Sequence, residues 1–453
     1  MVLKGKRILV IGLGKTGLST VRFLISRGAS VLATDEKPVA EWREALRTLE
    51  RGDADIEACA YDTDVLSRTD MIIPSPGVPP ANPILSAAVD RHIPVYSEIE
   101  LASRFLTTPM MAITGTNGKT TTTTLIGELL KAAGKKVFVG GNIGNPLIDY
   151  VNGNQDCDYA VVEVSSFQLQ WVEQFHPVCA ILMNVTSDHI DYHGDFAAYR
   201  QIKERIFMNQ TAHDLAVLNA DEDGTDAALN ARLAARVCRF SAATVLERGV
   251  YLDHETIVYR EVEGHDNPET YPLSMIKIPG VHNIHNVMAA VAAARYCGCS
   301  PSAIIRCIEN FRGISHRIEY SGEKRGIAFY DDSKGTNVGA VYVAVESFSR
   351  SVILLMGGRD KDIDFSVLIP VLKKKVKRLI LFGEARDKIY RAIGDVVETV
   401  RVGTMKEAVE TAYRCGVSGD IVLLSPGCAS FDEFKDYKER GRFFKEVVGG
   451  LDA

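Results

Sequence analysis

Residues 110–131 read M-M-A-I-T-G-T-N-G-K-T-T-T-T-T-L-I-G-E-L-L-K, and this stretch decides how the chain is interpreted. An apolar run leads into a turn with two glycines, Lys-Thr follows, and apolar residues then recur at helical spacing. Strand, glycine-rich loop, Lys-Thr and helix form the layout of a phosphate-binding loop. In such a loop backbone N–H groups and the helix N-terminus face phosphate oxygens, the lysine reaches the outer phosphates and the threonine hydroxyl binds Mg²⁺.

The loop is shorter than the usual pattern. That pattern places a further glycine five residues before Gly118, where this chain has Ile113. The alternative interpretation is a strand, turn and helix whose glycines only form the turn. A plain turn has no use for Lys119 and Thr120 at the mouth of a helix, so we favour the phosphate-binding loop.

The composition is that of a multidomain protein without a membrane span. The 453 residues exceed what one core holds, and no apolar run is long enough to cross a bilayer. Nine cysteines are scattered without a C-x-x-C pair, which favours buried thiols in a reducing cytoplasm. A net charge of −6 gives no general footprint for nucleic acid, so local lysines and arginines must hold any anionic ligand.

Residues 1–98 are predicted to form a small α/β domain. A strand at 7–11 precedes the turn G-L-G-K-T-G (12–17), a helix and a second strand that ends at Asp35. This order fits a dinucleotide-binding fingerprint with Asp35 at a ribose hydroxyl, although the same turn can hold any diphosphate. A third strand ends in S-P-G (75–77), at the edge of the sheet where ligands bind.

A second domain, 99–312, contains the phosphate-binding loop. Glu163 lies in the apolar strand Y-A-V-V-E-V-S (159–165), where a carboxylate is costly to bury without a partner. Near phosphates that partner would be Mg²⁺, and the alternative is a salt bridge to a lysine or arginine. The segment N-V-T-S-D-H-I-D-Y-H-G (184–194) follows a further strand, and its titratable groups favour a metal or substrate site over a solvated loop.

Four further stretches of this domain are less specific. Residues 140–145 are too rich in glycine and asparagine for regular structure, and 221–271 is expected to be loosely structured because it is polar. Lys203 lies in a helix predicted over 196–207, and we interpret it by default as a surface lysine. Asn283 would either cap the Ala-rich helix that it opens or contact a base or ribose.

Residues 313–453 are predicted to alternate strands and helices again, with strands at 327–330, 351–356, 378–382 and 420–424. Each strand is followed by a polar or glycine-rich turn: D-D-S-K-G-T-N (331–337), G-G-R-D-K (357–361), G-E (383–384) and S-P-G-C-A-S (425–430). Because the carboxyl ends of parallel strands meet at one edge of a sheet, these turns predict a binding face.

Seven motifs, in order along the whole chain, resemble those of the Mur ligases, the ATP-dependent amino-acid-adding enzymes of peptidoglycan synthesis. They are G-T-N-G-K-T (115–120), G-N-I-G (141–144), V-E-V-S-S-F-Q-L (162–169), N-V-T-S-D-H (184–189), H-N-x-x-N (282–286), H-R (316–317) and D-D-S-K-G-T-N (331–337). The resemblance implies an α/β fold with a Rossmann-like N-terminal domain, a central P-loop-type ATP-binding domain and a Rossmann-like C-terminal domain. The turn G-L-G-K-T-G-L-S (12–19), S-P-G-V-P (75–79) and L-S-P-G-C-A-S-F-D-E-F-K (424–435) are most similar to the branch that adds D-glutamate.

The resemblance also implies a role for each matched residue. The residues expected at the uridine diphosphate of the UDP-N-acetylmuramoyl-L-alanine substrate are Gly14, Lys15, Thr16, Asp35, Glu36, Lys37, Ser75 and Gly77. Asn142 is expected to contact the same substrate near the phosphates. Those expected at ATP are Gly115, Thr116, Asn117, Gly118, Lys119, Thr120, Thr121, Asn283, Asn286, Arg317 and Asp332. Those expected at Mg²⁺ are Thr120, Glu163, His189 and Lys203, the last of which matches a lysine that is carbamylated in the family. The D-glutamate pocket would contain Thr336, Lys361, Ser430 and Tyr437, and the catalytic set would be Lys119, Glu163, His189, Lys203 and Lys334.

The implied activity is cytoplasmic ligation of small-molecule substrates by a monomer that uses ATP and Mg²⁺ and binds neither nucleic acid nor membrane. An NAD(P)-dependent oxidoreductase is one alternative, but it leaves the phosphate-binding loop and D-D-S-K unexplained. A sister ligase, such as folylpolyglutamate synthase or the L-alanine-adding Mur enzyme, shares the central motifs but not the first domain. A non-catalytic nucleotide-binding regulator has little need of a second metal site, where the resemblance places His189.

Overall fold

The computed structural model of the chain describes residues 1–49, 55–186, 190–222, 227–261, 267–360 and 363–452. These residues form two compact units, Met1–Leu273 with His285–Cys307 and Ser274–Ile284 with Ile308–Ala453. Three mainly parallel sheets, each followed or interrupted by helices, confirm the predicted α/β class. The domain limits at residues 98 and 312 stay a prediction. Within the described ranges, no helix has the length and apolar composition that crossing a membrane requires.

The first sheet has four parallel strands in the order β3-β2-β1-β4, the order found in one half of a dinucleotide-binding fold. The strands are β1 (Arg7–Ile11), β2 (Ser30–Thr34), β3 (Ile56–Ala58) and β4 (Met71–Pro74). The helices are α1 (Lys15–Ser26), α2 (Val39–Arg47), α3 (Pro83–Asp90) and α4 (Glu98–Ser103). The predicted positions of β1, β2 and α1 are confirmed, because apolar strands buried on both faces give a clear sequence signal.

The second sheet has nine strands in the order β13-β12-β11-β10-β9-β8-β5-β7-β6. The strands are β5 (Met110–Thr114), β6 (Val137–Gly141), β7 (Tyr159–Glu163), β8 (Cys179–Leu182), β9 (Leu215–Asn219), β10 (Arg236–Ser241), β11 (Gly249–Asp253), β12 (Thr256–Arg260) and β13 (Glu269–Pro272). The helices are α5 (Lys119–Ala132), α6 (Leu147–Val151), α7 (Ser166–Leu169), α8 (Ile190–His193), α9 (Phe196–Glu204) and α10 (Ala227–Arg232). The chain has two more helices, α11 (Val281–Tyr296) and α12 (Pro301–Asn310). In each of them the chain passes from one unit to the other, after Ile284 in α11 and after Cys307 in α12.

The third sheet has six strands in the order β14-β15-β19-β16-β17-β18, all parallel except for the edge pair β14 and β15. The strands are β14 (Glu319–Lys324), β15 (Ile327–Asp331), β16 (Val352–Gly357), β17 (Val376–Phe382), β18 (Thr399–Arg401) and β19 (Ile421–Gly427). The helices are α13 (Val338–Glu346), α14 (Ile369–Lys375), α15 (Arg386–Ile393), α16 (Met405–Cys415) and α17 (Tyr437–Gly449). The four predicted strands β15, β16, β17 and β19 are confirmed, and they are adjacent and parallel.

Three local predictions differ from the structure. The stretch 221–271, expected to be loose, contributes strands β10–β13, and the sequence signal is weak because these strands carry polar residues at partly exposed positions. Gly140 and Gly141, expected outside regular structure, end β6 and pair with β7. The helix predicted over 196–207 ends at Glu204 and continues as a 3₁₀ turn over Arg205–Phe207.

Candidate active site

The phosphate-binding loop leads from β5 into α5 and needs glycine at position 118. Gly118 has a φ of +83°, and a Cβ at this position would lie 2.3 Å from Oδ1 of Asn286. The same Oδ1 accepts a hydrogen bond from the Thr122 hydroxyl at 3.2 Å. Asn286, predicted as an ATP contact, therefore lies against the loop, whereas Asn283 donates its side-chain amide to O of Pro279 at 2.6 Å.

Lys119 opens α5 and its ammonium lies over the loop. Nζ donates to O of Gly115 at 2.8 Å and to O of Thr116 at 2.9 Å. Thr120 and Thr121 follow in the first turn of the same helix, where a hydroxyl can face a bound phosphate or cation. The structure thus brings together the lysine, the hydroxyls and the helix N-terminus that the sequence motif predicts.

A second segment, residues 184–186, holds the loop from the side. Asn184 accepts the backbone N–H of Asn117 at 2.8 Å and donates its side-chain amide to O of Asn117 at 3.1 Å. The Thr116 hydroxyl accepts the N–H of Thr186 at 3.0 Å. The motif N-V-T therefore fixes the shape of the loop. His189, predicted as a metal ligand, lies outside the described residues, and its role stays a prediction.

Glu163 ends β7 beside β5, with an exposed fraction of only 2%. Its Oε1 accepts from the side-chain amide of Asn142 at 2.8 Å, and its backbone carbonyl accepts from the Asn142 N–H at 2.9 Å. Oε2 is buried and has no hydrogen-bond partner among the described residues. The buried carboxylate therefore presents one oxygen whose partner is not a described side chain or backbone group.

Lys203 is buried, with an exposed fraction of 1%, so its default interpretation as a surface residue is wrong. Nζ donates to O of Gly115 at 2.9 Å and lies 4.6 Å from the centre of the Tyr199 ring. The Tyr199 hydroxyl lies 3.2 Å from that of Thr116. Tyr199 was not predicted from the sequence, although its i,i+4 spacing from Lys203 on α9 places both residues on one helix face.

The turn between β1 and α1 has the geometry of a diphosphate-binding turn. A Cβ on Gly17 would lie 1.9 Å from O of Gly12, so the close approach of helix and strand requires glycine. The Asp35 carboxylate accepts the N–H of Leu13 at 2.6 Å and the N–H of Lys37 at 2.9 Å. Asp35 thus orients the turn, in addition to its predicted contact with the substrate.

The remaining predicted contacts of the first turn lie around it. The Ser75 hydroxyl donates to O of Gly12 at 2.7 Å, which links the S-P-G loop to the turn. Gly14, Glu36 and Gly77 are exposed, and Thr16 is half-buried. Lys15 donates instead to the neighbouring G-N-I-G-N turn, at Gly144 and Asn145.

In the second unit, Asp332 follows the end of β15 and is buried. Burial raises the pKa of its carboxyl to about 7, against the opposing effects of a hydrogen bond from Ser425 and the nearby charge of Arg317. The Ser425 hydroxyl donates to Oδ2 of Asp332 at 2.7 Å. The D-D-S-K and S-P-G-C-A-S turns are therefore in direct contact at neighbouring strand ends, as the predicted binding face requires.

The residue that fixes these two turns was missed by sequence reasoning. Arg440 on α17 is fully buried, and its guanidinium donates to O of Ser333 at 2.8 Å, to O of Cys428 at 3.0 Å and to O of Ala429 at 3.2 Å. Burial lowers the pKa of Arg440 to about 10. Its position one helical turn after Tyr437 was the only available signal.

The predicted amino-acid-binding residues lie on the same unit. Ser430 is buried, Thr336 and Tyr437 are half-buried, and the Lys334 ammonium lies 5.7 Å from the centre of the Tyr437 ring. Lys361 lies outside the described residues. The assignment of D-glutamate to this set stays a prediction.

The fold and the site together define the class of protein. It is an α/β protein with a phosphate-binding loop, a buried carboxylate (Glu163) beside the loop and a buried lysine (Lys203) beneath the loop. Family models match three successive parts of the chain: "Mur ligase MurD-like, N-terminal domain" over 6–97, "Mur ligase middle domain" over 113–294 and "Mur ligase, glutamate ligase domain" over 316–428.

Curated relatives match along the whole length. The UDP-N-acetylmuramoylalanine--D-glutamate ligase of Syntrophus aciditrophicus is 56% identical over 449 residues, covering 99% of this chain and 98% of the relative. The protein of the same name from Geotalea daltonii is 45% identical, with 100% and 99% of the two chains covered. The chain belongs to the Mur ligase family, and its N-terminal domain is of the MurD-like type.

Solved structures of the family share the fold. The MurF ligase of Thermotoga maritima in complex with ADP superimposes with a TM-score of 0.57 at 16% identity, covering 99% of this chain and 96% of that one. The UDP-N-acetylmuramate-alanine ligase MurC of the same organism gives a TM-score of 0.55 at 18% identity, with 98% and 99% covered.

Proposed function

We propose that this protein is an ATP-dependent ligase that adds D-glutamate to UDP-N-acetylmuramoyl-L-alanine in peptidoglycan precursor synthesis. The observation that carries the proposal is full-length identity of 56% to a relative of that activity, in a chain whose phosphate-binding loop, Glu163 and Lys203 lie together. All nine cysteines are free thiols, in keeping with the reducing cytoplasm where such precursors are made, and we expect a monomer there.

The residues present fit Mg²⁺. The buried Oε2 of Glu163 has no hydrogen-bond partner among the described residues, and an oxygen ligand is what Mg²⁺ prefers. The Thr120 hydroxyl and Glu163 would hold the ion near the phosphate-binding loop, with His189 and a carbamylated Lys203 in support. When bound, the ion would offset negative charge on the phosphates and on the incoming carboxylate.

The proposed reaction has two steps. A carboxylate oxygen of the L-alanyl group attacks the γ-phosphorus of ATP, ADP leaves, and an acyl phosphate forms. The amino nitrogen of D-glutamate then attacks the acyl carbon, inorganic phosphate leaves, and the nitrogen loses a proton. The product is an amide.

The first step brings an anion to a polyanion. Two unit charges about 4 Å apart repel by roughly 4 kcal/mol at an effective dielectric constant of 20. Lys119, already placed over the loop, would move its ammonium from the carbonyls of Gly115 and Thr116 to the phosphates. Arg317 would neutralise a further phosphate, and charges fixed in advance by the fold cost little to reorganise.

The remaining assignments concern binding. Asn283 and Asn286 would contact adenine, and Asp332 the ribose. Thr336, Lys361, Ser430 and Tyr437 would surround the D-glutamate carboxylates, and Lys334 would belong to the catalytic set. The turn at Gly14–Thr16, the Asp35–Lys37 strand end, Ser75 and Gly77 would hold the UDP part of the substrate. Asn142 would contact the substrate near the phosphates.

Phosphate release from ATP in the presence of UDP-N-acetylmuramoyl-L-alanine tests the proposal. D-glutamate is compared with L-glutamate, L-alanine, glycine and L-lysine, and the UDP-linked product is identified by mass. We expect release and product only with D-glutamate. Release with another amino acid would assign the protein to a sister reaction. No release with any of them would overturn the proposal, and titration with NADH would then test the oxidoreductase alternative.

A further inference from the structure

One face of α1 packs against the segment that follows β6. The side chains of Lys15, Ser19, Arg22 and Ser26 recur at helical spacing and all contact residues 144–152. The Ser19 hydroxyl donates to Oδ2 of Asp149 at 3.0 Å, and Arg22 lies 3.5 Å from Oδ1 of the same carboxylate. Helix α1 is therefore linked to residues 144–152 by a row of polar contacts, of which the one made by Lys15 reaches the G-N-I-G-N turn.

Lys15 makes the contact nearest to the proposed active site. Its Nζ donates to O of Gly144 at 2.6 Å and to Oδ1 of Asn145 at 3.1 Å. An ammonium has three N–H donors, so these two bonds leave one for a substrate phosphate. The residue predicted as a diphosphate contact thus also holds a turn of the central region.

That turn continues directly to Glu163. The carbonyl of Asn145 accepts the N–H of Gly141 at 2.8 Å, and the next residue, Asn142, donates both its backbone and its side-chain N–H to Glu163. The packing leaves no slack, because a Cβ on Gly140 would lie 2.4 Å from the Asn145 carbonyl and one on Gly141 would lie 2.5 Å from the Glu163 carbonyl. A displaced Asn145 must therefore displace Asn142.

The other end of the turn is fixed separately. Oε1 of Glu98, on α4, accepts the N–H of Ile148 at 2.7 Å in the first turn of α6. Residues 144–148 are thus held on one side by Lys15 and on the other by Glu98. Loss of Lys15 would release only the side that leads to Asn142.

We propose that Lys15 is a positioning residue that acts on the metal site: by holding Gly144 and Asn145, it keeps Asn142 and therefore the Glu163 carboxylate in place. This inference rests on the proposed function for the identity of the cation and the nucleotide. It makes the first-domain turn part of the machinery that sets the Mg²⁺ requirement, and it differs from a role in diphosphate binding alone.

The test is a double-mutant cycle of Lys15→Met and Asn145→Ala in the full-length chain, with Lys15→Arg as the conservative variant. Arg22→Met is the matched control, because it removes another cation of the same helix face whose partner, Asp149, lies beyond the turn. The Mg²⁺ concentration for half-maximal rate is measured at saturating ATP, D-glutamate and UDP-substrate. The Mg²⁺ dependence of binding of a fluorescent ATP analogue is measured without UDP-substrate, and thermal unfolding checks folding.

We expect Lys15→Met to raise both Mg²⁺ midpoints by about 10-fold, within the range typical of groups that orient metal ligands. Asn145→Ala should raise them less, because the bond from Lys15 to the Gly144 carbonyl remains. The double variant should match Lys15→Met, because that change already removes both bonds. Lys15→Arg should restore most of the affinity, and Arg22→Met should stay within about 2-fold of the parent. An effect of Lys15→Met confined to the KM of the UDP-substrate, or additive effects in the cycle, would overturn the inference. A parent protein that binds nucleotide with Mg²⁺ but forms no D-glutamate product would instead contradict the proposed function, and the binding arm would still test Lys15.

Discussion

Asn142 contacts Glu163 twice: its side-chain Nδ2 donates to Oε1 at 2.8 Å, and its backbone N–H donates to the carbonyl of the same residue at 2.9 Å. The two bonds fix both the strand end and the carboxylate plane. They leave Oε2 buried without a hydrogen-bond partner among the described residues. A residue that orients a metal ligand holds the carboxylate through one oxygen and leaves the other oxygen for the metal ion. Asn142 holds Glu163 in this way.

Asn142→Ala should raise the Mg²⁺ concentration for half-maximal rate by about 10–100-fold, because the carboxylate loses the donor that orients it. The measurement is a Mg²⁺ titration of phosphate release at saturating substrates. Asn152→Ala is the control, since the Asn152 side chain accepts a hydrogen bond from Ser26 at 3.0 Å and follows the end of α6, away from Glu163 in the chain. An unchanged Mg²⁺ requirement in Asn142→Ala would contradict the assignment of Glu163 to the metal.

Lys119→Ala should lower kcat for ATP turnover by at least about 10²–10³-fold, the loss seen when a group that stabilises developing charge is removed. Calorimetric binding of the UDP-substrate should change by less than about 3-fold, because the substrate is assigned to the first turn. Lys131→Ala is the control: it removes another α5 lysine, paired at 2.8 Å with exposed Glu128. If Lys119→Ala weakened UDP-substrate binding as strongly as it lowered ATP turnover, ATP and the UDP-substrate would not occupy separate sites.

Lys203→Ala should lose most activity, by about 10–100-fold or more, and recover part of it when a short carboxylic acid is added. The reason is spatial: the buried Nζ lies at the Gly115 carbonyl, and truncation leaves room there for a small anion that replaces a carbamate. Rates are measured over a concentration series of acetate and propionate. Lys119→Ala serves as the control that should not recover, and absence of recovery in Lys203→Ala at every concentration counts against carbamylation.

Glu98→Gln should stabilise the protein at pH 8 more than at pH 5. Burial raises the pKa of the Glu98 carboxyl from 4.5 to about 7, so the folded state keeps a proton that the unfolded chain releases near pH 4.5. The free energy of unfolding therefore falls as pH rises from about 4.5 to 7, by an amount on the order of 3 kcal/mol. The amide resembles the protonated carboxyl and keeps the oxygen that accepts the Ile148 N–H.

The melting temperatures of variant and parent at pH 5 and pH 8 provide the measurement. Glu100→Gln, in the same helix, is the control, because it removes the negative charge that pairs with Arg104 at 2.6 Å and should destabilise the protein at both pH values. If the melting temperatures of Glu98→Gln and the parent differed by the same amount at pH 5 and pH 8, Glu98 would be ionised in the folded protein.

Local motifs were predicted most accurately. The positions of β1 and β2 and the start of α5 follow from short-range features: apolar runs, glycines at tight turns and helical spacing. The strands Arg236–Ser241, Gly249–Asp253 and Thr256–Arg260 escaped prediction, because polar residues interrupt their apolar pattern and they are placed by pairing with neighbouring strands of the sheet.

The sequence by itself determined the α/β class, the phosphate-binding loop and the family, because each depends on residues close together in the chain or on motifs in a fixed order. Only the tertiary structure decided that Lys203 is buried under the loop, that Asn142 orients Glu163, that Arg440 joins two turns and that Lys15 reaches across to Gly144. These pairs lie far apart in the chain. Their meeting depends on strand order and side-chain packing, which no local pattern encodes.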